Sequence, residues 1–155
     1  MNKLPRSIQN SIDELSRLPG IGPKSAARLV FYLLSKPDSF IEELSCAIGN
    51  LKKNLKVCSN CYNYTEQDPC LICSSDRQKN KICIVEDPLD VIALERAGFD
   101  GVYHVLGGII SPVNGIGPEQ IRIEQLVEKL KANGEKTEII LATNPSIEGE
   151  ATAAY

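Results

Sequence analysis

Two short cysteine pairs, Cys58-Ser59-Asn60-Cys61 and Cys70-Leu71-Ile72-Cys73, stand eight residues apart. A Cys-x-x-Cys turn aims both sulfurs at one point, and two such turns supply the four ligands of a tetrahedral zinc ion. The insert Tyr62–Pro69 is polar and ends in Asp68-Pro69, a turn-forming pair that lets the chain loop out and return. Four sulfurs close the coordination sphere, so the expected role is structural rather than catalytic. Two disulfides and a redox dithiol are the competing readings. Met1–Leu15 has no apolar core of a secretory signal, and a redox motif needs one Cys-x-x-Cys rather than two. The expectation is zinc in a cytoplasmic setting. Cys46 and Cys83 stand alone in apolar patterns and read as buried small hydrophobes.

The cysteines also divide the charge. Residues 1–57 hold nine lysines and arginines against five acids, and residues 58–155 hold eight against fifteen. The net charge of -3 therefore hides a basic front on an acidic body, which points to a polyanion at one end and a basic partner at the other. No apolar run is long enough for a membrane span. Three regions follow: 1–57 helical, 58–77 the zinc motif, and 78–155 alternating strands and helices.

In the first region Ile8, Ile12 and Leu15 keep helical spacing, as do Ala27, Val30, Phe31 and Leu34. Between them lies Leu18-Pro19-Gly20-Ile21-Gly22-Pro23-Lys24-Ser25-Ala26-Ala27-Arg28. Pro23 suits the first turn of a helix. Gly20 and Gly22 allow left-handed angles and close approach, and Ile21 anchors the turn. The helix start offers free N–H groups and a positive dipole end to a phosphate, flanked by Lys24 and Arg28 one turn apart. A nucleotide P-loop is rejected, because Pro23 stands where glycine must precede the lysine.

The stretch resembles the helix-hairpin-helix motif, which implies DNA backbone contact without sequence reading by Gly20, Gly22, Lys24 and Arg28; a hairpin that only dimerises is the alternative. Residues 38–57 read as a further helix pair, capped by Asp38 or Ser39, with Phe40, Ile41, Leu44, Ile48 and Leu51 buried. Lys52, Lys53 and Lys56 either extend a phosphate track or neutralise a helix end.

In the last region Ile82–Val85, Val102–Leu106 and Glu138–Ala142 read as strands, and Leu89–Ala97 and Ile121–Leu130 as helices closed by Gly98 and Gly134. The alternation predicts an α/β unit with a parallel sheet, whose function gathers at the strand ends Glu86-Asp87, Gly107-Gly108 and Thr143–Ser146. His104 reads as packing rather than catalysis.

This half resembles a Toprim domain, the magnesium-holding unit of type IA topoisomerases and primases. Glu86 matches the family's first acid. Asn144 and Ser146 stand where its Asp-x-Asp belongs, so most of the magnesium affinity is expected to be lost. A magnesium-dependent nuclease using Glu86, Asp87 and Asp90 is the alternative, although Asp87 and Asp90 also read as acids at a helix start.

Helix-hairpin-helix, four-cysteine zinc motif and degenerate Toprim domain, in that order, resemble the RecR family of bacterial recombination mediators. Tyr103-His104-Val105-Leu106-Gly107-Gly108, Ser111-Pro112 and Glu148-Gly149-Glu150-Ala151-Thr152 add to the match. The resemblance implies a non-catalytic, nucleoid-associated DNA-repair protein, a homodimer or homotetramer. It would work with RecO and RecF to load RecA onto SSB-coated single strands. Lys24 and Arg28 match DNA-contacting positions, and Glu86 and Glu148 match positions that hold RecO. Capping of the last helix is the alternative for Glu148, and a vestigial strand-end acid for Glu86. The resemblance further implies strands beyond Tyr155, so an incomplete Toprim sheet is expected.

Overall fold

Residues 4–133 and 136–155 are described in the computed structural model. They form two units divided between Lys53 and Asn54. The first is a helical hairpin, α1 (Arg6–Ser16) and α2 (Pro23–Leu34), followed by α3 (Asp38–Asn50). Ile12, Ala26 and Val30 form a small buried core, on which Ile8, Leu15 and Ile21 pack. The apolar stripe of α1 and the small Ala26 on α2 explain why these two helices close on each other.

Three expectations for residues 38–51 fail. Phe40, Ile41, Leu44, Ile48 and Leu51 are exposed, Ile48 and Leu51 by 66% and 64%. The core of one helical hairpin is too small to cover a third amphipathic stripe. The cap is also different: Pro37 holds the N-cap position with no side-chain cap bond, and Asp38 is the first helical residue. Cys46, on the same helix, is exposed rather than buried. The predicted second helix is absent, because Lys56 and Val57 form β1 (Lys56–Val57), paired antiparallel with β2 (Tyr64–Thr65).

The second unit joins that hairpin and the short α4 (Leu71–Ser74) to a parallel sheet. β3 (Gln78–Val85) is the central strand, flanked by β4 (Gly101–Val105) and β5 (Glu138–Ala142) in the order β4-β3-β5. α5 (Pro88–Arg96) and α6 (Ile123–Asn133) make the crossovers, and α7 (Ile147–Ala154) follows β5. The strand and helix expectations hold with small shifts; α6 starts two residues late because a 3-10 turn, Pro118–Gln120, precedes it. Gly134, expected to close α6, lies outside the described residues.

Alternation along the strands divides the core. Cys83, Val85, Tyr103 and Val105 pack with the four zinc-motif cysteines and Val91. Ile84 and Leu106 pack with Leu126 of α6, while Val127 stays 42% exposed. The zinc motif thus has no core of its own and shares that of the sheet. Arg77 strengthens the junction: Nη1 and Nη2 donate to Glu95 Oε1 (2.6 Å) and Oε2 (2.7 Å), and the Tyr103 hydroxyl donates to the same Oε1 (2.7 Å). This bidentate geometry is the stronger kind of ion pair. It holds the Glu95 carboxyl below its usual range.

His104 is fully buried in β4 and packs edge-on against Tyr62. Its Nε2 lies 2.7 Å from the Arg122 carbonyl, which makes Nε2 the donor and leaves Nδ1 a buried acceptor with no partner among the described residues. A second proton would sit there unsolvated, so burial first, with help from Lys129 and Arg122, lowers the imidazole to a pKa of about 4. Between about 6.5 and 4 the unfolded histidine binds a proton that the folded one refuses, so stability rises with pH in that window. About 3 kcal/mol is expected to be lost as pH falls through it. Urea midpoints from pH 7 to 4 should fall less steeply in His104→Gln than in the parent; parallel curves would remove His104 from the account.

Candidate nucleic-acid interface and metal centre

The turn between α1 and α2 is built on one left-handed glycine. Gly20 has φ +78°, a conformation that L side chains adopt at a cost, and the Ile21 N–H donates to the Leu18 carbonyl (3.1 Å). Gly22 is extended (φ −81°, ψ 168°) and is the N-cap of α2, with Pro23 at its first position. A Cβ built on either glycine meets nothing within 4 Å, so the backbone there faces open space. The first-turn N–H groups of α2 have no intrahelical acceptor. Lys24, Ser25 and Arg28 are exposed beside them. Among the described residues neither Lys24 nor Arg28 forms an ion pair. The first unit therefore presents amide donors, a helix-dipole positive end and two free cations on one surface. That set suits a phosphate and has no feature that reads a base.

In the second unit Cys58, Cys61, Cys70 and Cys73 are all buried, and their sulfurs lie within 4.8 Å of one another. A tetrahedral ion with Zn–S bonds of about 2.3 Å sets S···S edges of about 3.8 Å. The Cys61–Cys70 separation, 3.5 Å, is close to that edge. Two backbone amides already serve the sulfurs: Cys70 N–H donates to Cys58 Sγ (3.3 Å) and Cys73 N–H to Cys70 Sγ (3.4 Å). Asp68 ties the two turns together by accepting from the Ser59 N–H (2.8 Å) and hydroxyl (3.0 Å). Hydrogen bonding from Cys73 draws the Cys61 thiol down to about 5, while the Cys73 thiol is pushed up by the same contact and Cys70 by burial. Four buried sulfurs cannot ionise together without a dication between them, and these residues fit one. They hold a structural zinc ion.

The carboxyl ends of the strands converge on Glu86, which is only 7% exposed. Its Oε1 accepts the Asn144 backbone N–H (2.7 Å) and its Oε2 accepts the Asn144 side-chain amide (2.7 Å). Where a Toprim enzyme would set a cation between two acids, an amide here donates directly to the remaining acid. Gly149 of α7 closes the site: a Cβ there would overlap the Asn144 carbonyl and come within 2.9 Å of Glu86 Oε1.

The other acids are engaged locally. The Asp87 carboxylate accepts from the Leu89 N–H (2.6 Å) and the Asp90 carboxylate from the Asp87 N–H (3.0 Å), a reciprocal cap on α5. That is the helix-start reading of these two residues, with one oxygen of each committed to the cap. Glu148 lies half-buried in the first turn of α7, whose cap is Ser146 Oγ, accepting from Gly149 N–H (3.0 Å). Glu86 is thus turned inward with both oxygens engaged, whereas Glu148 keeps access to solvent.

Asn144→Asp is expected to set two carboxylates against each other, remove a donor, and lower stability by about 2 kcal/mol at neutral pH. Urea unfolding reads this directly; an unchanged midpoint would mean that the amide pairing contributes nothing.

No sequence signal points to Arg77 or to the Glu86–Asn144 pairing, because each works through a partner far away in the chain. In the sequence Asn144 registers only as a missing acid.

The chain thus combines an open helix-hairpin turn, a four-cysteine zinc module and a parallel α/β sheet in which Asn144 and Ser146 stand in place of the Toprim aspartates. Family models match the chain part by part: RecR helix-hairpin-helix over residues 8–52, the RecR four-cysteine zinc finger domain over 55–75, and a Toprim domain over 80–155. The recombination protein RecR of Herpetosiphon aurantiacus is 52% identical over 97% of this chain and 74% of its own length. Those of Pelotomaculum thermopropionicum (50%, 100% of this chain and 78% of the relative) and Tropheryma whipplei (49%, 97% and 76%) are similar to a comparable degree. The chain belongs to the RecR family.

Proposed function

We propose that this chain is a DNA-binding recombination mediator in DNA repair and performs no bond chemistry itself. The observation that carries the reading is the open start of α2, where Gly20 and Gly22 expose backbone donors beside Lys24 and Arg28, neither of which forms an ion pair among the described residues. Contacts of this kind hold phosphates irrespective of sequence. The absence of catalysis is supported by Asn144 filling Glu86 with hydrogen bonds and by the caps that engage Asp87 and Asp90.

The exposed α3 stripe, Phe40, Ile41, Leu44 and Ile48, supports assembly of copies into a dimer or tetramer. Leu44→Glu with Ile48→Glu should yield monomers by light scattering, and an unchanged mass would place the interface elsewhere. The acidic second unit fits a basic partner such as RecO, with RecF a further partner. Glu148 makes the contact, and Glu86 holds the strand end that presents it. The role we propose is cytoplasmic and nucleoid-associated; no helix among the described residues is long and apolar enough to cross a membrane.

The test is loading of RecA on single strands coated by SSB, read as DNA-dependent ATP hydrolysis by RecA. Together with RecO, this chain should shorten the lag. No effect at any ratio, or magnesium-dependent DNA cleavage abolished by Glu86→Gln, would contradict the proposal.

A further inference from the structure

β4 is an edge strand, and an edge leaves outward N–H and C=O groups to be satisfied. Tyr103 and Val105 present theirs on the side away from β3. This edge is covered in two different ways, once by the zinc module and once by α6. The Val105 N–H donates to the Cys61 carbonyl (2.8 Å), as a neighbouring strand would accept it. The Tyr103 carbonyl receives the ammonium of Lys129, reaching across from α6 (3.3 Å). The same Nζ donates to the carbonyl of Asn60, inside the first cysteine turn, at 2.9 Å. Lys129 and Cys73 line one cavity of ≈ 440 Å³, together with Ser59, Asn60 and Tyr62.

The electrostatics point the same way. A divalent ion with four thiolates carries a net double negative charge. The Lys129 ammonium stands at this centre: it is bonded to Asn60, between the ligands Cys58 and Cys61, and shares a cavity with Cys73. A neutral donor would satisfy the two carbonyls; only a cation also offsets the charge of the centre. Groups beyond the ligands that fix and compensate a metal site typically change its affinity by about 10–100-fold when removed.

We propose that Lys129 is a positioning residue for the zinc centre: its ammonium compensates the zinc–thiolate charge and locks the first cysteine turn to the edge of the α/β sheet. Zinc retention is then set in part from α6, outside the motif that binds the ion.

The test compares zinc transfer from the loaded protein to an excess of the chelating dye 4-(2-pyridylazo)resorcinol. Lys129→Met removes donor and charge together, Lys129→Gln keeps a donor without the charge, and Lys129→Arg keeps the charge. Lys131→Met makes the same charge change on the exposed part of α6. Met and Gln should release zinc about tenfold faster or more. Arg and the Lys131 variant should stay near the parental rate. In cobalt-substituted protein the thiolate-to-metal charge-transfer band of Lys129→Gln should move to lower energy, since a cation near the sulfurs has been removed; a packing role alone would leave it in place.

Parental release by Met and Gln, equal acceleration by Lys131→Met, or an unmoved band would each overturn the proposal. Should Met and Gln fail to accumulate folded, Lys129→Arg decides: parental retention supports the role of charge, and loss of zinc there refutes it.

Discussion

Cys70→Ser is expected to abolish zinc binding and unfold residues 54–77. Cys70 works in four ways: it is a zinc ligand, its sulfur caps α4 by accepting from Cys73 N–H, its own N–H serves Cys58 Sγ, and its side chain is in the core shared with Val85 and Tyr103. In isolated zinc fingers the metal supplies about 10–16 kcal/mol, so the module cannot stay folded without it. The loss should spread. Without the module, the β4 edge at Val105 is uncovered and the core that Cys83, Val85, Tyr103 and Val105 share with the cysteines is open, so the α/β unit is also destabilised. Residues 4–53, with their own core, should keep theirs. Metal analysis should give about one zinc per parent chain and none in the variant. Hydrogen exchange should lose protection over 54–77 and, more weakly, over β4. A metal-free parent that is fully protected would refute the structural role of the ion.

The second large effect is on DNA. Lys24→Ala with Arg28→Ala removes both cations beside the α2 start and leaves Ile12, Ala26 and Val30 untouched, so the hairpin stays folded. Charge-assisted bonds contribute about 1.5–3 kcal/mol each, which predicts a loss of affinity of at least about tenfold. The loss should be equal on all sequences. Each lost phosphate contact on single strands should also flatten the plot of log affinity against log salt by about 0.7, and on duplexes by about 0.9. A weaker affinity with an unchanged slope would mean that these residues act through folding and not through phosphates.

What the sequence made legible were features of short range. The cysteine spacing, the Gly20–Pro23 turn, the caps on α5 and the alternation of Ile82–Val85 are each set by residues within a few positions, and the local rule was enough. α3 failed for the opposite reason. Its stripe of Phe40, Ile41, Leu44 and Ile48 reads as a core face by period, but period says that a face is apolar and not what covers it. Cys46 failed with it; of the two glycines that permit a left-handed angle, only Gly20 takes one. Lys56 and Val57 followed the zinc hairpin once their partners Thr65 and Tyr64 were in place, a pairing that no helical pattern anticipates. At the strand ends the missing aspartates were plain, yet the consequence was not. That Asn144 would turn its amide into Glu86, and bury the acid read as a partner contact, depends on β3 and β5 being neighbours.

In the proposed function the chain grips DNA through the phosphate backbone, without reading bases. The most direct measurement is fluorescence anisotropy with two unrelated single strands of equal length across a salt series, with light scattering on the same sample. The account predicts oligomers that bind both strands with one affinity and one steep salt slope. Folded oligomers that ignore DNA at low salt, or that prefer one sequence strongly and show little salt dependence, would contradict it.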